Sequence, residues 1–114
     1  MNILFRRSLI GGSLLLASFL STGAYALDEE AARALARESN CFKCHSISKK
    51  SDGPAWKEVA AKYKGKADAE AKLIRHITSG EKVKFEDGHM EEHTIVKSKD
   101  PAQIKNLVEF ILSR

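Results

Sequence analysis

The sequence predicts an all-α domain of about four helices, and three observations carry that reading. Apolar residues recur at three- and four-residue spacing in each of four segments, with no sustained strand-like alternation between them. The segments are punctuated by cap and turn residues: Asp28, Asp52-Gly53-Pro54, Gly65, Asp68, Gly80 and Asp100-Pro101. Between the first two segments lies Cys41-Phe42-Lys43-Cys44-His45, which sets two thiols about one helical turn apart with an imidazole directly after them.

Taken in order, Asp28 caps a first helix that runs to about Ser39, with Glu29 and Glu30 in its first turn and Ala32, Leu35 and Ala36 along one face. A polar loop from Ser46 to Gly53 follows the cysteine segment and ends in a turn. Trp56, Val59, Ala60 and Tyr63 then mark a second helix that Gly65 stops. A third helix starts at the cap Asp68 and ends at Gly80, with Leu73, Ile74 and Ile77 inward. The stretch from Glu81 to Lys99 shows no sustained period and is expected to be one long loop. The last helix takes Asp100 as cap and Pro101 as its first residue, and Ile104, Leu107, Val108, Ile111 and Leu112 form its apolar stripe.

The cysteine segment carries the chemistry. The C-x-x-C-H pattern is that of c-type haem attachment: two thiols one turn apart can each add to one of the two vinyl groups of haem, and His45 comes to lie beneath the porphyrin as an iron ligand. A thioredoxin-like redox pair needs a βαβ setting that the flanking sequence lacks. Half a zinc site needs a second pair of ligands, and the chain has no third cysteine. A disulfide between Cys41 and Cys44 closes too small a loop to stabilise much.

Residues 1–26 read as a cleaved signal peptide, with Arg6 and Arg7 as the positive region, Ser8 to Leu20 as the apolar region and Ala24-Tyr25-Ala26 as the small-x-small site. The apolar run is short for a membrane span, so no stable membrane insertion is expected after cleavage. Residues 27–114 form the single remaining domain. Those 88 of the 114 residues carry only two more basic than acidic side chains, which gives no case for nucleic-acid binding. A chain this short buries a modest core and needs a staple, which a covalently held porphyrin supplies.

Beyond the haem motif, the run from Gly53-Pro54-Ala55-Trp56 to Tyr63, then Ala69-Glu70-Ala71, and finally Phe110-Ile111-Leu112-Ser113, resemble the short bacterial monohaem class I c-type cytochromes, over nearly all of residues 27–114. The resemblance implies a small cytochrome c-like fold, its helices packed around one covalently bound haem c. It implies a crossing of the first and last helices near the haem edge, for which Ala32 or Ala36 against Phe110 is suited. It assigns the Pro54 carbonyl as acceptor for the second ring nitrogen of His45. Trp56 and Tyr63 read equally as core residues or, by the resemblance, as haem-pocket aromatics.

The sixth iron ligand is the open position. The family uses a methionine from the loop before the last helix, and counting forward from Gly53-Pro54 places it on Met90. Counting back from Ser113 places it at Thr94, beside His93, so the loop carries about four extra residues. Met90 is taken first and His93 as the alternative, with His89 or an open site behind them; His76 and the loop histidines have solvated positions as their default.

The function these features imply is a periplasmic one-electron carrier, monomeric, exchanging electrons with periplasmic or membrane redox proteins, and not an enzyme. Lys43, Lys49, Lys50, Lys57, Lys62, Lys64 and Lys66 crowd the attachment half, and Glu81, Glu86, Asp87, Glu91 and Glu92 crowd the distal loop. Such a dipolar surface steers an acidic partner toward the haem edge, or is simply two solvated faces. The rival readings are a haem protein that binds or senses a small ligand such as nitric oxide, carbon monoxide or peroxide through a labile sixth ligand, and an electron-transfer subunit of a larger complex.

Overall fold

The structure is a computed structural model that describes residues 26–114; the cleavage signal read over residues 1–26 therefore lies almost wholly outside the described residues. Four α-helices and one short hairpin follow in the order α1 (Glu29–Glu38), α2 (Trp56–Tyr63), α3 (Ala69–Thr78), β1 (Lys82–Lys84), β2 (Met90–Glu92) and α4 (Pro101–Leu112).

The helices begin where the sequence places them. The Asp28 carboxylate accepts from the Ala31 amide at 3.0 Å, and the Asp100 carboxylate accepts from the Ala102 amide at 2.9 Å, with Pro101 filling the first helical position. Asp68 behaves differently. Its side chain makes no cap bond and instead pairs with Lys72 at 2.8 Å, one turn along α3.

α4 is the element on which the others rest: α1, α2 and α3 all pack against it. Ala32 and Ala36 of α1 and Leu107, Val108 and Phe110 of α4 are almost fully buried in one cluster that also takes Leu35, Trp56, Leu73 and Ile77. Small side chains on α1 let the two helix axes approach, and the Phe110 ring fills the remaining space. The rim of the crossing is closed by Arg33 and Arg114, whose guanidiniums lie 5.0 Å and 4.2 Å from the Phe110 centroid. Buried Asn106 ties the two helices further: its Oδ1 accepts from the Asp28 amide at 2.9 Å and its Nδ2 donates to the Asp28 carbonyl at 2.7 Å.

The expectation of one unbroken loop over Glu81–Lys99 is corrected here. Lys82, Val83 and Lys84 pair antiparallel with Glu92, Glu91 and Met90. The turn between them uses Gly88 in the left-handed region at φ 91°, with the Gly88 amide donating to the Phe85 carbonyl at 3.0 Å and the Phe85 amide to the His89 carbonyl at 2.9 Å. Opposite charges face each other across the strands at Lys82 and Glu92. Asp87-Gly88 is the sequence signal for such a turn, but strands of three residues are too short to show a period.

Candidate functional site

The site starts at the C-terminus of α1, where Asn40 adopts a left-handed conformation (φ 59°) and a single tight 3-10 turn, Cys41–Lys43, follows. That turn carries the first thiol, and the His45 amide donates back to the Cys41 carbonyl at 2.9 Å. The chain then reverses. The Gly53 amide donates to the Cys44 carbonyl at 2.7 Å, and the Trp56 and Lys57 amides donate to the Ser46 and Ile47 carbonyls, each at 2.9 Å. These bonds fix the start of α2 against the thiol segment.

Two consequences follow for His45. Its Nδ1 donates to the Pro54 carbonyl at 2.8 Å, which leaves Nε2 as the free ring nitrogen. Gly53 lies so close that a Cβ there would stand 2.6 Å from His45 Cε1 and 2.9 Å from Nδ1. The absence of a side chain at Gly53 is what gives the imidazole its place.

His45 faces a cavity of about 890 Å³, whose wall includes Cys41, Cys44, Pro54, Trp56, Tyr63, Leu73, Ile77, Leu107 and Ile111. That volume lies within the roughly 300–1,000 Å³ typical of cofactor sites. Both cysteines are free thiols at its edge, and burial pushes the Cys41 thiol above its ordinary range. Trp56 belongs both to the cavity wall and to the core: its ring centroid lies 6.1 Å from that of His45, 5.1 Å from Phe42, and 5.9 Å edge-on from Phe110. Tyr63 lines the same wall, with the Lys62 and Lys66 ammoniums 5.6 Å and 5.7 Å from its centroid.

On the far side, the structure brings His93 to the cavity. Its ring centroid is 6.1 Å from that of His45, and its Nδ1 donates to the Thr94 carbonyl at 3.0 Å, so its Nε2 is also the free nitrogen. Burial first, then the neighbouring His76 and His45 rings, hold the His93 pKa below 6.5 and favour the neutral, metal-competent imidazole. A metal held between the free Nε2 atoms of two imidazoles at roughly 2 Å from each would fit ring centroids about 6 Å apart, and those of His45 and His93 are 6.1 Å apart.

Met90 and His89 are not brought to that position. Met90 sits on β2, is 51% exposed and does not line the cavity. His89 is held at the hairpin tip, where its Nδ1 bonds to the Asp87 carboxylate and its Nε2 lies 3.1 Å from Glu91 Oε1. The cavity also holds a residue that the sequence left among solvated side chains. His76 lines the wall, its centroid 4.1 Å from that of His93, and its Nδ1 donates to Glu81 Oε1 at 2.6 Å. A signal existed for it: His76 lies three residues after Leu73 and one before Ile77, on the inward stripe of α3.

Two thiols at one edge, two imidazoles 6.1 Å apart on a shared cavity and a wall whose aromatic and branched side chains are joined by charged ones fit a haem. Residues 29–114 match the cytochrome c family. The chain belongs to that family. It is similar to cytochrome c-551 of Allochromatium vinosum, 38% identical over 78 residues, which are 68% of this chain and 80% of that one. It is also similar to cytochrome c-551 of Pseudomonas aeruginosa, 44% identical over 63 residues, 55% of this chain; there the match spans only 58% of the relative's own length. Among solved structures it is similar to the Class 1 cytochrome MtoD from Sideroxydans lithotrophicus ES-1, at 64% identity and a TM-score of 0.74, covering 77% of this chain and 97% of that one. The fold is thus that of a class I c-type cytochrome, and its cofactor is one haem c joined through Cys41 and Cys44.

Proposed function

We propose that this cytochrome c is a periplasmic one-electron carrier whose iron is held between His45 and His93. The observation that carries the reading is the pair of imidazoles on one cavity, 6.1 Å apart, each with Nδ1 committed to a backbone carbonyl and Nε2 free. Bound haem supplies a single ferric/ferrous couple. The side chains do the rest. Cys41 and Cys44 anchor the porphyrin edge, the Pro54 and Thr94 carbonyls fix the two ring tautomers, and Leu73, Ile77, Leu107 and Ile111 keep water from the cavity floor.

If His45 and His93 both held the iron, no coordination site would be left for a substrate, which supports a carrier rather than an enzyme. Cleavage after Ala26 would release residues 27–114 as a monomeric domain outside the inner membrane. Among the described residues no helix is long and apolar enough to cross a membrane. Lys43 and Lys57, near the thioether edge and exposed Phe42, suit a redox partner whose surface is acidic around an apolar centre.

The ligand assignment is tested by the ferric spectrum and by carbon monoxide added to the reduced protein. His/His ligation gives no thioether-linked far-red band and no rapid binding of carbon monoxide in the parent protein. His93→Ala opens the iron to carbon monoxide, while Met90→Ala leaves the spectrum as it was. A far-red band that disappears in Met90→Ala overturns the assignment to His93.

A further inference from the structure

His93 leaves β2 on a segment without regular structure, and one hydrogen bond from its ring to the adjacent Thr94 carbonyl does not by itself fix the ring plane. Three contacts from the corner between α3 and β1 converge on it. The His93 amide donates to the Glu81 carbonyl at 2.9 Å; the Glu81 carboxylate accepts from His76 Nδ1 at 2.6 Å; and the His76 ring lies against the His93 ring at 4.1 Å between centroids, inclined by 46°. Glu81 therefore grips the His93 backbone with its own main chain and, through its side chain, holds the ring that packs on the His93 imidazole.

The corner itself is well defined. Gly80 turns the chain in the left-handed region at φ 67°, and a Cβ there would meet the Ile95 side chain at 3.2 Å. The Val96 amide donates to the Ile77 carbonyl at 2.8 Å, which ties the far end of the His93 segment to the last turn of α3. His93 is thus bracketed on both sides by bonds to one corner, and the His76 ring of the same corner lies against it.

We propose that Glu81 and His76 act as a positioning pair for His93, setting its ring orientation and slowing its release from the iron. The proposal rests on His93 being the distal ligand. Groups that orient a metal-bound imidazole are worth about 10- to 100-fold in metal affinity or activity, and His76, held by Glu81, brings a second ring against His93 besides that of His45. Neither residue touches the iron; both act through His93.

The test uses the full haem-loaded protein, with electron paramagnetic resonance of the ferric form and the rate at which carbon monoxide replaces His93 in the ferrous form. His76→Ala is expected to shift the ferric g values and speed carbon monoxide binding about 10- to 100-fold. Glu81→Ala follows it, whereas Glu81→Gln retains an acceptor for His76 Nδ1 and stays close to the parent protein. Should His76→Ala not accumulate in folded form, Glu81→Ala, whose side chain is 43% exposed, supplies the same readout. Unchanged g values and an unchanged rate overturn the proposal, even if the variants melt earlier; so do equal effects of Glu81→Gln and Glu81→Ala. A thioether far-red band in the parent protein removes the premise instead, which separates failure of the ligand assignment from failure of the positioning pair.

Discussion

On the His45 side, the imidazole sits within a few residues of both thiols, is bonded to Pro54, and lies beside Trp56, which in turn packs edge-on against fully buried Phe110. On the His93 side, the ring is carried by a segment after a two-stranded hairpin whose strands are three residues long and whose β2 face is exposed throughout. The hairpin is joined to the proximal loop by an exposed ion pair, Lys50 to Glu86. The His45 ring is thus tied to the core through Trp56, and the His93 ring is held by a few backbone bonds and one tilted ring contact. The difference teaches that the two sides of one cavity can have separate stabilities: one that fails only with the whole domain, and one that can open alone.

The strongest way to break this comparison is Phe110→Ala. Removing a fully buried ring that abuts Trp56 costs about 3–5 kcal/mol of global stability, and denaturant unfolding should show loss of the His45 environment and of the helices in a single transition. A transition in which the absorbance of the haem pocket changes before the helical signal would show that the proximal side is not part of the core unit.

Gly53→Ala and Gly88→Ala sharpen it, since the same methyl group is added on the two sides. At Gly53 the new carbon would stand 2.6 Å from His45 Cε1 and 3.2 Å from the Cys44 carbonyl oxygen. The ring cannot yield without losing its bond to Pro54, so about 1–3 kcal/mol of overpacking falls on global stability and on the haem spectrum together. At Gly88 nothing lies within 4 Å, and the cost arises only from φ at 91°. About 1–2 kcal/mol of backbone strain then appears as faster amide exchange at Phe85 and Gly88, with the global midpoint and the visible spectrum retained. Equal global effects from the two substitutions would erase the distinction between the halves.

How much of this was legible in the sequence follows the same divide. The thiol spacing, His45, the caps at Asp28 and Asp100 and the stripe on α4 are local patterns, and the fold places them where the pattern does. The residue that reaches the cavity opposite His45 is not signalled locally. A count along the chain favours Met90 because the hairpin's length cannot be read from strands too short to show a period, whereas the antiparallel register leaves Met90 opposite Lys84 and carries His93 on to the Glu81 carbonyl. Asn106 was silent for a related reason: a polar residue within an apolar stripe gives no hint that its partners are the amide and carbonyl of Asp28, 78 residues earlier. Asp68 shows the converse, a cap signal whose side chain went to Lys72 because an i,i+4 partner was in reach.

The smallest effect concerns the hairpin tip, and it sets the limit on how far the distal side can be loosened by solvent conditions alone. The Asp87 carboxyl is held below its ordinary 3.8, first by the His89 amide and then by the His89 ring. Its contribution is present above 3.8 and is lost as pH falls through the lowered value. The His89 ring is held above its ordinary 6.5, chiefly by Asp87 and further by Glu91. Its contribution is complete below 6.5 and is lost as pH rises through the raised value. The tip is therefore tightest in the window between those two ordinary values. Proton resonances of Phe85, Gly88 and His89 in the diamagnetic ferrous protein should shift together on raising the pH through the His89 midpoint, and Asp87→Asn should move that midpoint back toward 6.5. Both groups are exposed, so the global melting temperature stays flat across the same range and the His93 signals do not follow. If they did follow, the tip and His93 would move as one body, and the hinge between them would have to lie not after Glu92 but at the Gly80 corner.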